Sequence, residues 1–496
     1  MIRRVRLPLL VFAGLAWVGL LLAEEKPAEK TLTQWAKESV SRVAYGIYIK
    51  GKKVGWAIEE TKVGEQDGKP VLISISESYM QTLFDGEKSV KKDLQTLTYS
   101  LEGRGELLCA RVAKEDDGKT LTREAKRDAK GLLITTTQGG RTSTRRVPLP
   151  KDHLASHRAL ELWLSSPRKP GDSFVKYTLN WDETDIDQKE TYTYKGSEDL
   201  ALGGVPTTLH RVEILSDGAV MPATIFSDAK IYLAEVGGLL AIKLEPEKLA
   251  KSLNDKQLVD LMTAASIVLD KDLGFFGRLV DSLKLELSEL GEFRIPASHR
   301  QIVTPGEKGT TIVEIKRDFK RDKPQPLTEE QRREFLAATP RIQCDEKPVQ
   351  DKVKEILGDT TDPTQKAQKL ANWVFKTLKK SYADNADTAL EILDRKAGDC
   401  TEHTLLYVSL CRAAGLPARE VGGLAYVRAS KPLLGWHAWA EIHDGHQWVS
   451  VDPTWDQYLV DGTHLKLSEG SQDSAWTNIA GKLKVKVLDF KRRSKG

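Results

Sequence analysis

Cysteine is scarce: four in 496 residues, scattered at 109, 344, 400 and 411. That excludes a disulfide-stapled scaffold, whose cysteines crowd a short chain. Charge of one sign is lacking too. A net charge of +4 is small for this length and offers nothing to hold a nucleic acid, and Lys491 to Lys495 reads as a solvated tail. No internal repeat and no glycine-rich phosphate loop is present. Apolar and charged fractions of 40% and 29% suit globular material. The exception is Leu7 to Leu22, which follows Arg3, Arg4 and Arg6 and precedes Ala23-Glu24-Glu25. It lies between a signal-peptide core and a membrane span in length. Residues 1–23 are therefore expected to be a signal peptide or an N-terminal membrane anchor. With the basic side retained, the remainder would be exported to the periplasm or cell envelope in either case. Any membrane contact would run through that segment alone, if uncleaved.

The remainder divides by pattern. Residues 24–245 alternate like strands: Tyr45 to Ile49 with Val54 to Ile58, Leu132 to Thr137 with Arg141 to Val147 across Gly139-Gly140, then Phe174 to Leu179 and Glu190 to Tyr194. They predict an extended antiparallel sheet. Residues 246–330 are mixed, with a strand-like Thr310 to Ile315, and end in the Pro-containing, charged Arg321 to Pro326, read as a linker. From 331 to 470 helix signals return. Thr328 with Gln331 is a capping box, and Asp362-Pro363 with Gln365 opens a helix burying Leu370, Trp373, Val374 and Leu378. Residues 471–496 form a C-terminal segment with the basic tail.

Chemistry concentrates after residue 397. Apolar positions 405, 406, 408, 410 and 413 predict a buried helix that stops at Gly415-Leu416-Pro417. Asp399 suits its N-cap, which places Cys400 at the first helical position. There, unpaired amides and the positive dipole end favour a thiolate and could also receive an oxyanion. Cys411 lies about three turns further on, roughly 16 Å away, and reads as core. Trp439 to His443 and His446 to Val451 predict two strands around Asp444-Gly445, the dipeptide of two-residue hairpins. Such a loop pairs His443 with His446 and so sets His437 directly across from Asp452, within carboxylate-to-imidazole reach. His443 and His446, lacking a third ligand nearby, read as solvated rather than metal-binding. His403, one turn from Cys400, is a rival base that points beside the thiol.

These residues carry a resemblance. Asn372-Trp373-Val374-Phe375, Arg395-Lys396-Ala397-Gly398-Asp399-Cys400-Thr401-Glu402-His403, Arg412 to Arg419, Gly435-Trp436-His437-Ala438-Trp439-Ala440-Glu441 and Trp448 to Trp455, in this order, resemble the transglutaminase-like superfamily in its papain-like bacterial branch. The resemblance implies an α+β fold: a papain-like core with its nucleophile helix packed on an antiparallel sheet, preceded here by the β-rich domain. It gives Cys400, His437 and Asp452 the roles of nucleophile, base and orienting acid, with a protein or peptide substrate and neither cofactor nor metal. Family members crosslink glutamine to lysine, hydrolyse peptides or amides, or have lost activity and bind. The expectation is an exported enzyme that transfers acyl groups from peptide or amide bonds through a Cys thioester, acting as a peptidase or amidase. A crosslinking transglutaminase and a non-catalytic envelope binding or assembly protein with a relic triad are the alternatives.

Overall fold

The computed structural model describes residues 30–493 apart from 85, 184, 255–257, 275–279, 382–385, 387, 429–430 and 471–474. The expected signal or anchor at 1–23 lies outside these residues. No helix among them is long and apolar enough to cross a membrane. The chain forms two compact units, one holding Lys88–Val259 with the strands before it, the other Asp260–Gly496.

The first unit is a fourteen-stranded antiparallel sheet. One meander steps outward from Ser41–Ile49 to Arg141–Val147. A second steps outward from Leu240–Glu245, in reverse chain order, to Ser173–Leu179. The two meet where Tyr45 pairs with Leu244. Gln138 pairs with Arg141 around Gly139-Gly140, both at positive φ, as a two-residue turn demands. Between the meanders runs helix Leu154–Ser165, which buries Leu154, His157, Leu160 and Leu164 at helical spacing. Leu154 joins the core of the first meander, and Leu160 and Leu164 that of the second.

In the second unit, helix Cys400–Ala413 is buried from Thr401 to Cys411 on every side, so it forms the centre of the core. Helices Lys347–Leu357, Pro363–Thr377 and Ala389–Arg395 flank it, contributing Val349, Val353, Leu370, Val374 and Ile392. Thr328 and Asp362 cap their helices through Gln331 and Gln365 at the spacing the sequence predicts. Beneath lies an antiparallel sheet ordered Gln457–Tyr458, Trp448–Asp452, Pro432–His443, Ala418–Arg428, Leu465–Glu469, with Ile267–Val268 on the Pro432–His443 strand. Ala440, Ile442, Val449 and Val451 meet the central helix.

Three stretches differ from the sequence reading. Residues 246–330 were read as a mixed connecting region with a strand at Thr310 to Ile315; that strand, Thr311–Lys316, is joined by Val280–Ser288, Gln301–Pro305 and Lys484–Arg492 in a four-stranded sheet. Lys491 and Arg492 thus end a strand rather than trail in solvent, and Arg493 meets Asp281 at 3.1 Å. The Arg321–Pro326 linker is strapped to the sheet. His446 Nε2 donates to the Arg321 carbonyl and His443 Nε2 to that of Gln325, both at 2.8 Å. Those two histidines are clamps, not solvated turn residues.

Candidate active site

Asp399 is the N-cap of the central helix and Cys400 its first residue. A capping box closes the turn: Asp399 accepts from the amides of Thr401 and Glu402, while Glu402 Oε2 accepts from the Asp399 N–H at 2.8 Å. Gly398 makes room for it, since a Cβ there would sit 2.3 Å from that of Glu402. The box spends amides that the sequence reading offered to an oxyanion. The His403 amide also serves the Asp399 carbonyl. What remains in this turn is the Cys400 N–H itself. Cys400 is partly exposed, whereas Cys411 is buried, its thiol pushed up to about 12 by that burial.

The hairpin turn differs from the expected one. His443 pairs with Trp448 and Ala440 with Val451, so four residues form the connection. Asp444 Oδ1 accepts from the amides of His446 and Gln447, an Asx turn that lengthens the loop. The register therefore moves by two and sets Asp452 diagonal to His437. A shift of two keeps every side chain on its face. The two groups still meet: His437 Nε2 lies 2.9 Å from Asp452 Oδ2.

Cys400 acts on the same ring through its charge and as a hydrogen-bond partner. Because Nε2 faces Asp452, Nδ1 is the nitrogen left for sulfur. Burial opposes a charge on His437, but the charges of Asp452 and Cys400 and the hydrogen bonds to both outweigh it, raising His437 to about 10. Burial likewise opposes the Asp452 charge, yet His437 holds that carboxyl well below the usual range. Trp455 stacks on the imidazole with centroids 4.2 Å apart, shielding it from water. His403 is drawn away from this chemistry. It is fully buried, its Nδ1–H donates to the Asp399 carbonyl at 2.7 Å, and burial lowers its pKa.

A cysteine at a helix start, an imidazole and a carboxylate in this chain order define the stretch. Residues 350–453 match the transglutaminase-like superfamily. An uncharacterized protein of Haemophilus influenzae is 37% identical over 103 residues, 20% of this chain and 28% of that protein, so the match covers under a third of the relative. A crystal structure of a candidate cysteine protease from Cytophaga hutchinsonii is 17% identical, covers 44% of this chain and 91% of its own, and has a TM-score of 0.32. For a candidate protease from Parabacteroides distasonis the figures are 12% identity, 77% and 69% coverage, and a TM-score of 0.17.

Beyond the transglutaminase-like core the sequence reading missed three residues. His464 Nε2 lies 3.3 Å from Asp452 Oδ2, and its Nδ1 3.1 Å from Asp461 Oδ1. Arg300, from the supposed connecting region, is buried and donates to the carbonyls of Asp461 and His464 at 2.8 and 2.9 Å. Nothing local marks Arg300. Asp461-Gly462-Thr463 does carry a turn signal, closed by the Thr463 amide on Asp461. His437, Asp452 and His464 offer three ligand atoms within 4.8 Å of one another. Those atoms already hydrogen-bond to one another, with both imidazoles on one carboxylate oxygen, so the set suits protons better than a cation.

The sheet must also come close here. Gly423 pairs with His437, and a Cβ on it would stand 2.0 Å from the Leu465 carbonyl oxygen and 2.8 Å from the Trp439 ring. Gly423→Ala should lower stability by about 1–3 kcal/mol by forcing strand Leu465–Glu469 outward. Thermal unfolding checks it, and an unchanged Tm would contradict the packing.

Proposed function

We propose that the transglutaminase-like core is a thiol acyl-transfer enzyme acting on peptide or amide bonds. The observation that carries the reading is His437 held between Asp452 and Cys400 beside a helix N-terminus. The Cys400 thiolate attacks the substrate carbonyl carbon, and the resulting oxyanion is received by the Cys400 N–H. As the C–N bond breaks, His437 hands its proton to the departing amine, leaving a thioester. Water, deprotonated by His437, then attacks the thioester; the acid is released and the thiol restored. Asp452 keeps the imidazole oriented throughout. Hydrolysis makes the protein a peptidase or amidase. The basic and apolar N-terminal residues support export, so the substrate would be a protein or peptide of the periplasm or cell envelope.

The test is a peptide mixture incubated in H218O with and without a primary amine, read by mass spectrometry. New carboxylates carrying 18O, absent with Cys400→Ala, are expected. Amine adducts in their place would make the enzyme a transglutaminase. Products equal in the wild type and Cys400→Ala would leave the binding or assembly alternative.

A further inference from the structure

His464 has two ring nitrogens and each faces a carboxylate oxygen. An ionised carboxylate only accepts hydrogen bonds, and a neutral imidazole has one N–H to give. A neutral His464 would therefore point a lone pair at an oxygen in a site where His464, Asp452 and Asp461 are at most 2% exposed. Both carboxylates are set up to be ionised. Asp452 Oδ1 accepts from the amides of Thr454 and Trp455 at 2.8 and 3.3 Å, and its Oδ2 faces two imidazoles. Asp461 Oδ1 accepts from the amide and hydroxyl of Thr463 at 2.8 and 2.6 Å. Burial works against its charge, but the two bonds from Thr463 favour it.

We propose that His464 is a positioning residue that carries both protons at pH 7, an imidazolium clamped between Asp452 and Asp461. The inference rests on the acyl-transfer reading for its functional half. The site then extends inward as Cys400, His437, Asp452, His464, Asp461, with charges alternating in sign. Around His464 stand the rings of Trp439 and Trp455, both T-shaped to it with centroids at 5.2 and 5.5 Å, and that of His437 at 5.8 Å. Buried Arg300 spends two N–H groups on the carbonyls of Asp461 and His464 and so fixes where the ring sits. Gln301 continues the clamp, bonding the Lys466 N–H and carbonyl at 2.8 Å each. His464 thereby stops the Asp452 carboxylate from rotating and dampens its basicity, so the proton stays on His437. His464, Asp461 and Arg300 all lie outside the matched stretch 350–453.

The charge is read by NMR of the full chain with 15N-labelled histidine, in the wild type and in Cys400→Ala. The His464 signals are assigned by their loss in His464→Gln. Two N–H protons and imidazolium nitrogen shifts at pH 7 are expected in both proteins. Asp461→Asn, which can accept or donate, should release one of those protons while the hydrogen bond to Asp452 stays. A single N–H on wild-type His464 at pH 7 overturns the charge assignment. The positioning role is read by Cys400 alkylation at pH 6.5, which should fall about 10- to 100-fold in folded His464→Gln, as outer-shell losses do. An unchanged rate in that variant overturns it. Should wild-type Cys400 react no faster than a free thiol, the acyl-transfer reading fails, and the NMR result still decides the charge on His464.

Discussion

Alkylation of Cys400 by iodoacetamide should run at a near-constant rate from about pH 6 to about pH 8.5 in the wild type and drop about 100-fold at pH 6 in His437→Ala. The reason is the ring between Asp452 and Cys400. With His437 raised to about 10, its positive charge faces the sulfur across the whole neutral range. A thiolate opposite an imidazolium reacts at pH values where a free thiol, with a pKa of about 8.5, is almost wholly protonated. Removing the imidazole takes that charge away from the sulfur. A free thiol at pH 6 is about one part in 300 thiolate, a loss partly offset by the greater intrinsic nucleophilicity of a more basic sulfur. The sign at high pH follows from the same group. The ring keeps its charge until pH rises through about 10, so the paired state ends there. A wild-type rate that climbs with a midpoint near 8.5, and is indifferent to His437→Ala, would mean that the sulfur is not activated.

Local signals served the sequence reading well, because caps are set within three residues. Thr328, Asp362 and Asp399 each bond the amide two or three positions on, and no distant contact can override that. The hairpin at Asp444 shows where local reading slips. Asp-Gly allows a two-residue loop, but the Asp444 carboxylate captured two amides and made the loop longer. The candidate base and acid still met because strand faces repeat every two residues, as the shift did. His464 and Arg300 were illegible for a different reason. Arg300 reaches carbonyls more than 160 positions away, and strand Lys484–Arg492 pairs with Val280–Ser288 over a longer separation still. Neither contact leaves a periodicity or a spacing in the chain. His403, the rival base set aside because it points beside the thiol, is tied by its Nδ1–H to the Asp399 backbone.

Asp452→Ala should lower stability by about 3–5 kcal/mol near pH 6, because it removes one partner of a buried charge pair and leaves its donors stranded. Four N–H groups lose their acceptor: the two imidazoles and the amides of Thr454 and Trp455. At roughly 2–4 °C per kcal/mol for a unit of this size, Tm should fall by about 10 °C. The pH dependence separates lost charge from lost volume. Asp452 is held well below the ordinary carboxylate range, so its contribution is present above its unfolded value of about 3.9 and drains away as pH falls through the folded value. His437 is raised, so its share is complete below about 6.5 and declines as pH climbs through about 10. The gap in Tm between wild type and Asp452→Ala should therefore be widest between about pH 4 and pH 6.5 and narrow on both sides. A cavity alone would give a gap that ignores pH. Thermal unfolding of both proteins across pH 3 to 10 distinguishes the two, and a constant gap would mean that Asp452 and His437 are not a charged pair.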